Sequence, residues 1–380
     1  MTVFSKDSPW MTHHIVEILE LSQKIICCYN IYMKKIRIAI NGLGRIGRAF
    51  LRLAKDTPEL ELVAVNDIGD IENIAYLLKY DSVYGKNRFD VSATVIGADG
   101  NSSIIFDGKK IKFLSEREPS NLPWKNLDID IVVESTGVFS SYEKSKAHLD
   151  AGAKRVVITA PVKDSPPRGI SGETILMGVN EDKLKICDIS SNGSCTTNAE
   201  SPILAILNEK IGIEKALLNT IHSYTATQSI IDALNKSDVR RGRAAAINIV
   251  PSTTGAASAT IKAMPELEGK FDGIALRVPV ISGSIADITF ITKKNTNIDE
   301  VNGALIDAAN EERWKGIFTT TKEPLVSSDI IGNTYGAIAD LSFTKVVGGN
   351  LVKVLSWYDN EVGYANTLVK HIILSGKYIK

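Results

Sequence analysis

The stretch "SNGSCTTNAE", Ser191 to Glu200, sets one cysteine among hydroxyl, amide and glycine residues. A thiol there is a nucleophile when a base lies in reach; without one it is a small buried side chain, the ordinary fate of free cysteine. The apolar "SPILAILNEKIG" that follows reads as a helix, placing Cys195 near a helix N-terminus, where a thiolate is stabilised. Of the five histidines, His13 and His14 precede the ordered pattern, and His148 and His371 sit in helical segments. His222, in "NTIHSYTATQ", is the candidate base, with a hydrogen-bonded core histidine as the alternative. Two further features suit an anion. In "DVRRGRAAAINIVPSTTGAAS", Arg240, Arg241 and Arg243 form either a solvated or subunit surface, or an anion site with backbone N–H groups at Thr254 and Gly255. Arg277, inside the strand-like "ALRVPV", needs an anionic partner, because a buried unpaired charge is costly. A substrate phosphate is the preferred partner and an internal carboxylate the second choice.

These residues need a scaffold. "KKIRIAI" carries Ile36, Ile38 and Ile40 in a β-prone run that ends at "NGLGRIGRAFLRLA", which reads as strand, turn, helix. Gly42, Gly44 and Gly47 form a G-x-G-x-x-G fingerprint, for the tight turn, the approach of backbone to a pyrophosphate, and helix packing. The helix N-terminus then faces phosphate with unpaired N–H groups. A second strand, "LELVAVND", ends at Asp67, twenty positions after Gly47. An acid there accepts from the ribose hydroxyls and repels a 2′-phosphate, favouring NAD, while Gly69 leaves room that keeps NADP use open. The alternative is a cap or turn role. Further strands, "IDIVVESTG" and "AKRVVITAP", end in small and hydroxyl residues at a parallel-sheet edge, so Ser135, Thr136, Gly137 and Thr159 are candidate contacts. "VKDSPPRGISGE" reads as a surface loop. After Asn198 the alternating runs "FDGIALRVPV" and "SIADITFITKK" suggest antiparallel strands and a second domain.

Composition narrows the function classes. The 380 residues hold 44 Lys+Arg and 44 Asp+Glu, which gives no electrostatic case for nucleic acid or a membrane surface as primary partner. Four cysteines do not make a secreted disulfide framework, so a cytoplasmic protein is expected. No apolar run is long enough to span a membrane. No metal site is expected. Residues 1–32 lack a signal-peptide pattern and read as an extension outside the fold.

The motifs "NGLGRIGR", "VND", "LLKYDSVYG", "ESTGVF", "SCTTN", "HSYTATQ", "RRGRAAAINIVPSTTGAA", "LRVPV" and "SWYDNEVGYAN" together closely resemble the phosphorylating glyceraldehyde-3-phosphate dehydrogenases, in order from about Met33 to the C-terminus. The resemblance implies an α/β fold: a Rossmann-type doubly wound parallel sheet in residues 33–194, and an α+β catalytic domain on a mostly antiparallel sheet in 195–359. A helix in 360–380 would return to the NAD-binding domain. It implies that Cys195 attacks the aldehyde of glyceraldehyde 3-phosphate while His222 polarises the oxygen and accepts the proton, and that inorganic phosphate releases the thioester. Thr225 and Arg277 would hold the substrate's phosphate; Ser194, Thr196, Thr254 and Gly255, with Arg241 nearby, would hold the attacking phosphate. Arg45, Ile46, Asp67, Arg117, Thr159 and Asn360 would serve NAD, Asn360 at the carboxamide, with helix capping as its ordinary role. The segment from about Tyr224 to Pro251 resembles a loop that reaches a neighbouring subunit's cofactor, implying a homotetramer. Departures include Ala199 in place of a common second cysteine, followed by Glu200; Ser258 for a common lysine; "GNTYGAI" for a frequent proline–histidine version; and no Leu–Pro or Gly–Pro pair after Asp232. Erythrose-4-phosphate dehydrogenase is the near alternative, and a secondary RNA or surface-binding role the distant one.

Overall fold

The computed structural model describes residues 34–97 and 100–379, so the expected extension 1–32 lies outside the described residues. The chain opens with β1 (Ile36–Asn41), α1 (Arg45–Lys55), β2 (Leu60–Asn66) and α2 (Ile71–Lys79). Ile38 and Ile40 are fully buried, and α1 turns Ala49, Phe50, Leu51 and Ala54 onto the sheet. A short hairpin, β3 (Tyr80–Asp81) with β4 (Gly85–Lys86), precedes β5 (Val91–Thr94), β6 (Ser103–Phe106) and β7 (Lys109–Leu114). Then come β8 (Ile131–Glu134), α3 (Tyr142–Asp150), β9 (Arg155–Ile158), β10 (Gly172–Thr174) and β11 (Ile189–Ser191). The loop expected over "VKDSPPRGISGE" ends two residues early, since Gly172 and Glu173 pair with β11.

These strands make a nine-stranded sheet in the order β10-β11-β9-β8-β1-β2-β7-β6-β5, antiparallel only at the β7-β6-β5 edge. Chain order departs in opposite directions from β1, toward β2 on one side and β8 on the other. A crevice opens at such a switch point, beyond the carboxyl ends of the strands.

The second sheet is built from β12 (Ile213–Ser223), β13 (Val250–Thr253), β14 (Phe271–Val278), β15 (Ser284–Thr292), β16 (Phe318–Thr321), β17 (Ala337–Val347) and β18 (Leu351–Tyr358), in the order β13-β14-β12-β15-β18-β17-β16. It is mostly antiparallel, but β12 with β14 and β16 with β17 run parallel. One face is covered by α4 (Cys195–Lys210), α5 (Ala256–Ala263) and α6 (Ile298–Ala309). Helix α4 begins at Cys195 itself, earlier than its apolar run, because Ser194 and Thr197 form a capping box. The last helix, α7 (Val362–Gly376), packs Ala365, Leu368 and Ile372 into the first sheet's core. Among the described residues no helix is long and apolar enough to cross a membrane.

Candidate active site

The glycine turn after β1 is dictated by space. Gly42 has φ +93°, and a Cβ there would lie 2.8 Å from the Thr136 nitrogen; a Cβ on Gly47 would lie 2.0 Å from the Gly42 carbonyl oxygen. Gly44, at the N-cap of α1, faces open space, which leaves backbone free for close approach. The first bond of α1 runs from Arg48 N–H to Gly44 O, so the N–H groups of Arg45, Ile46 and Gly47 are the unpaired helix end. Beside this turn is a cavity of about 310 Å³ lined by Gly42, Gly44, Asp67, Arg117 and Thr136. Asp67 accepts from Leu43 N–H at 2.7 Å and Gly69 N–H at 2.8 Å, which aims its carboxylate at the cavity rim. The cap of α2 is Asp70, not Asp67. Thr159, just past β9, donates its hydroxyl to the Glu134 carbonyl on the same edge. The guanidinium of Arg45 is committed to Asp81 and Glu361, so a cofactor contact by this residue falls to its N–H.

Asn360 is buried, and its Oδ1 accepts from Ser223 Oγ at 3.0 Å, Ser284 Oγ at 3.0 Å and Gly283 N–H at 3.2 Å. Three donors identify that atom as oxygen and leave the NH₂ to donate outward. Capping of α7, the ordinary alternative for Asn360, falls instead to Asp359, which accepts from the N–H groups of Glu361 and Val362. Ser223 and Ser284, which hold the Asn360 amide in this orientation, are positions that the sequence reading missed; only the small hydroxyls in "HSY" and "SIAD" hinted at them.

The thiol and imidazole meet. Cys195 Sγ is 3.3 Å from His222 Nε2, one group from the start of α4 and the other from the end of β12. The parallel pairing of β12 with β14 sets His222 opposite Arg277 in register, which puts the guanidinium beside the ring. His222 Nδ1 lies 2.7 Å from the Ser223 carbonyl and 2.7 Å from Arg277 Nη1, which also donates to that carbonyl at 3.1 Å. With Nδ1–H given to the carbonyl, Nε2 presents its lone pair to sulfur. With Arg277 donating to Nδ1, the proton sits on Nε2 and the ring is no base. Burial, and then the Arg277 charge, lower His222 to about 3. Burial pushes the Cys195 thiol up, and Arg277 and the Thr196 donors pull it part of the way back. Near neutral pH the pair is therefore a thiol and a neutral imidazole, poised for proton transfer.

The arginines separate by partner. Arg240 pairs with Asp238 and Arg243 with Asp232, the surface role weighed for the cluster. Arg241 instead donates to Ser252 Oγ and the Thr253 carbonyl. Among the described residues neither Arg241 nor Arg277 has a carboxylate partner, so the internal carboxylate considered for Arg277 is ruled out there. Thr254 Oγ1 accepts from Ala256 N–H, and Gly255 caps α5 with its own carbonyl. Thr225 bonds to Thr227 at the loop's start. Ser194 Oγ is held by Thr197, and the buried Thr196 hydroxyl meets Tyr358 OH at 2.9 Å, which also meets Thr220. Tyr358 is a third residue the sequence reading missed. A fourth is His148: Trp124 Nε1 donates to its Nδ1, so Nε2–H faces Glu134, which also accepts from Asn41 beneath the glycine turn.

The chain matches two family models, "Glyceraldehyde 3-phosphate dehydrogenase, NAD binding domain" over residues 36–142 and "Glyceraldehyde 3-phosphate dehydrogenase, C-terminal domain" over residues 194–360. It is 51% identical over 338 residues to a glyceraldehyde-3-phosphate dehydrogenase of Thermotoga maritima, covering 88% of this chain and 97% of that protein. Proteins of the same name from Streptomyces coelicolor and Mycobacterium avium are 46% and 47% identical, each over 90% of this chain and 99% of the relative.

Proposed function

Since the chain belongs to the glyceraldehyde 3-phosphate dehydrogenase family, we infer that it oxidises glyceraldehyde 3-phosphate with NAD and inorganic phosphate, giving 1,3-bisphosphoglycerate and NADH in glycolysis. The observation that carries this reading is the 3.3 Å approach of Cys195 Sγ to His222 Nε2 beside an Arg277 that has no carboxylate partner among the described residues. Sulfur adds to the aldehyde carbon as the carbonyl π pair moves onto oxygen, while His222 Nε2 takes the thiol proton and passes it to that oxygen, leaving a thiohemiacetal. NAD, when bound, supplies the acceptor for the hydride lost as that carbon becomes a thioester, and the hydroxyl proton returns to His222 Nε2. Phosphate then attacks the thioester carbon, the C–S bond breaks, and Cys195 leaves as thiolate.

Arg277 gives the substrate's phosphate a second effect. A phosphate on the guanidinium draws its donors away from His222 Nδ1 and offsets its charge. The ring then keeps Nδ1–H on the Ser223 carbonyl and becomes the better base. Thr225 joins Arg277 at this site. Ser194, Thr196, Thr254 and Gly255, with Arg241, serve the attacking phosphate; the backbone N–H groups at the start of α5 are its main donors, since both hydroxyls beside Cys195 already have partners. The α1 N-terminus at Arg45, Ile46 and Gly47, together with Asp67, Arg117, Thr159 and the Asn360 NH₂, holds NAD.

The test is direct. NADH formation from glyceraldehyde 3-phosphate should require added phosphate, and equal rates without it would remove the phosphorylating mechanism. Turnover of erythrose 4-phosphate at a higher kcat/KM would favour the alternative substrate. An Asp67→Ala variant should lose discrimination against NADP by about tenfold or more, read as the ratio of kcat/KM values, because it removes the repelling carboxylate. An unchanged ratio would place cofactor choice elsewhere.

Division of the chain at 194/195, with 360–380 returning to the first domain, belongs to the same reading, as does a cytoplasmic homotetramer. Support for the oligomer comes from exposed apolar residues in two places: Leu217, Ile274 and Leu351 on the second sheet, and Ile230, Leu234 and Ile247 in the loop from Tyr224 to Pro251. Sedimentation of the purified protein at four times the chain mass checks it.

A further inference from the structure

Glu200 stands five residues after Cys195 on α4, fully buried in a stretch that is otherwise core. One carboxyl oxygen accepts from Thr260 Oγ1 on α5 at 2.7 Å; the other has no partner among the described residues. A buried carboxyl so poorly supplied is expensive and is not explained by packing.

The titratable groups around it are engaged elsewhere. On α5, Lys262 donates to the Val162 carbonyl. On the strands beneath α4, His222 of β12 meets Cys195, Asp287 of β15 meets Lys353 of β18, Asp340 of β17 accepts from Trp357, and Tyr358 meets Thr196 and Thr220. On α7, His371 bonds Ser190 and Asn192, and Tyr364 bonds the Gly193 carbonyl. The acids of α6, Asp299, Glu300 and Asp307, are exposed. Burial therefore pushes Glu200 up to about 8, opposed only by the Thr260 hydroxyl.

Helix α5 is capped by Gly255, where the functional reading above places the attacking phosphate, and the inference rests on that reading. We propose that Glu200 is a positioning residue: through Thr260 it sets α5, and with it the backbone at Thr254 and Gly255, relative to Cys195, in a manner that changes when Glu200 loses its proton. As a neutral acid it accepts from Thr260 and holds the two helices together. As an anion it leaves an uncompensated charge between them, which the interface relieves by opening toward water.

The experiment compares wild type with Glu200→Gln and Thr260→Val, measuring KM for inorganic phosphate and kcat from about pH 6.5 to about pH 9.5, with thermal unfolding at each pH. In the wild type, KM for phosphate should rise about fivefold or more as the pH passes roughly 8, relative to the permanently neutral Gln variant. Thr260→Val removes the one interaction that lowers Glu200, so the rise should move to higher pH. The neutral form is favoured in the folded protein, so its stabilising contribution is full below the unfolded carboxyl value and is lost as pH rises through about 8. The thermal advantage of Gln over Glu should accordingly grow across that window. The same rise in KM in Glu200→Gln, or a thermal difference independent of pH, would overturn the proposal. The expected thermal pattern in a protein that does not oxidise glyceraldehyde 3-phosphate would overturn the functional reading instead.

Discussion

Cys195→Ser should lower phosphate-dependent NADH formation by about 10⁴-fold or more while leaving the fold intact. The first residue of α4 is placed by the Ser194–Thr197 capping box, which the substitution does not touch, so the hydroxyl occupies the sulfur's position. Its chemistry is what fails. His222 is held near 3 by burial and Arg277, a base weak enough that it depends on the comparative acidity of a thiol. A serine hydroxyl gives up its proton far less readily, and an ester formed there would pass its acyl group to phosphate more slowly than a thioester. The check is steady-state NADH formation together with thermal unfolding: the midpoint should stay close to wild type, as for a near-isosteric change. Activity within tenfold of wild type would displace Cys195 from the nucleophile's role. Cys187 is not a substitute, because its buried thiol is pushed up to about 12.

The nucleotide half was legible because backbone geometry dictates its residues. Gly42 at φ +93° and Gly47 against the Gly42 carbonyl admit no side chain, so glycine at both positions carries information that survives without a structure. Strand patterning was equally readable, since a buried parallel strand such as "IVV" in β8 is a continuous apolar run. The catalytic half was not legible in this way. Cys195 and His222 approach because α4 begins over the end of β12, and Arg277 joins them because β12 and β14 pair in parallel; nothing local in these segments encodes either meeting. The arginine cluster was ambiguous for a related reason: Arg240, Arg241 and Arg243 are alike in sequence, and only the positions of Asp238, Asp232 and Ser252 separate them. Glu200 and His148 read as ordinary helix residues, because a single polar residue in an apolar run says nothing of what waits for it in the core.

His222→Asn should reduce kcat/KM for glyceraldehyde 3-phosphate by about 10² to 10⁴-fold near pH 7. The size of the deficit should itself depend on pH. Wild-type His222 is neutral throughout the working range, so the rise of rate with pH reports the thiol, whose ionisation burial has pushed upward. At neutral pH the wild-type imidazole removes the thiol proton as the C–S bond forms. Asparagine cannot accept that proton, although its amide can still donate to an oxygen. The variant must therefore wait for thiolate to form unaided, and its rate should keep climbing at alkaline pH where the wild type has levelled. The deficit is then largest near neutrality and shrinks as pH rises. The check is the pH profile of kcat/KM for both proteins, with thermal unfolding to confirm that loss of the ring's bond to the Ser223 carbonyl has not disordered β12. A deficit of equal size at every pH would assign His222 to polarising the aldehyde oxygen and take the role of base away from it.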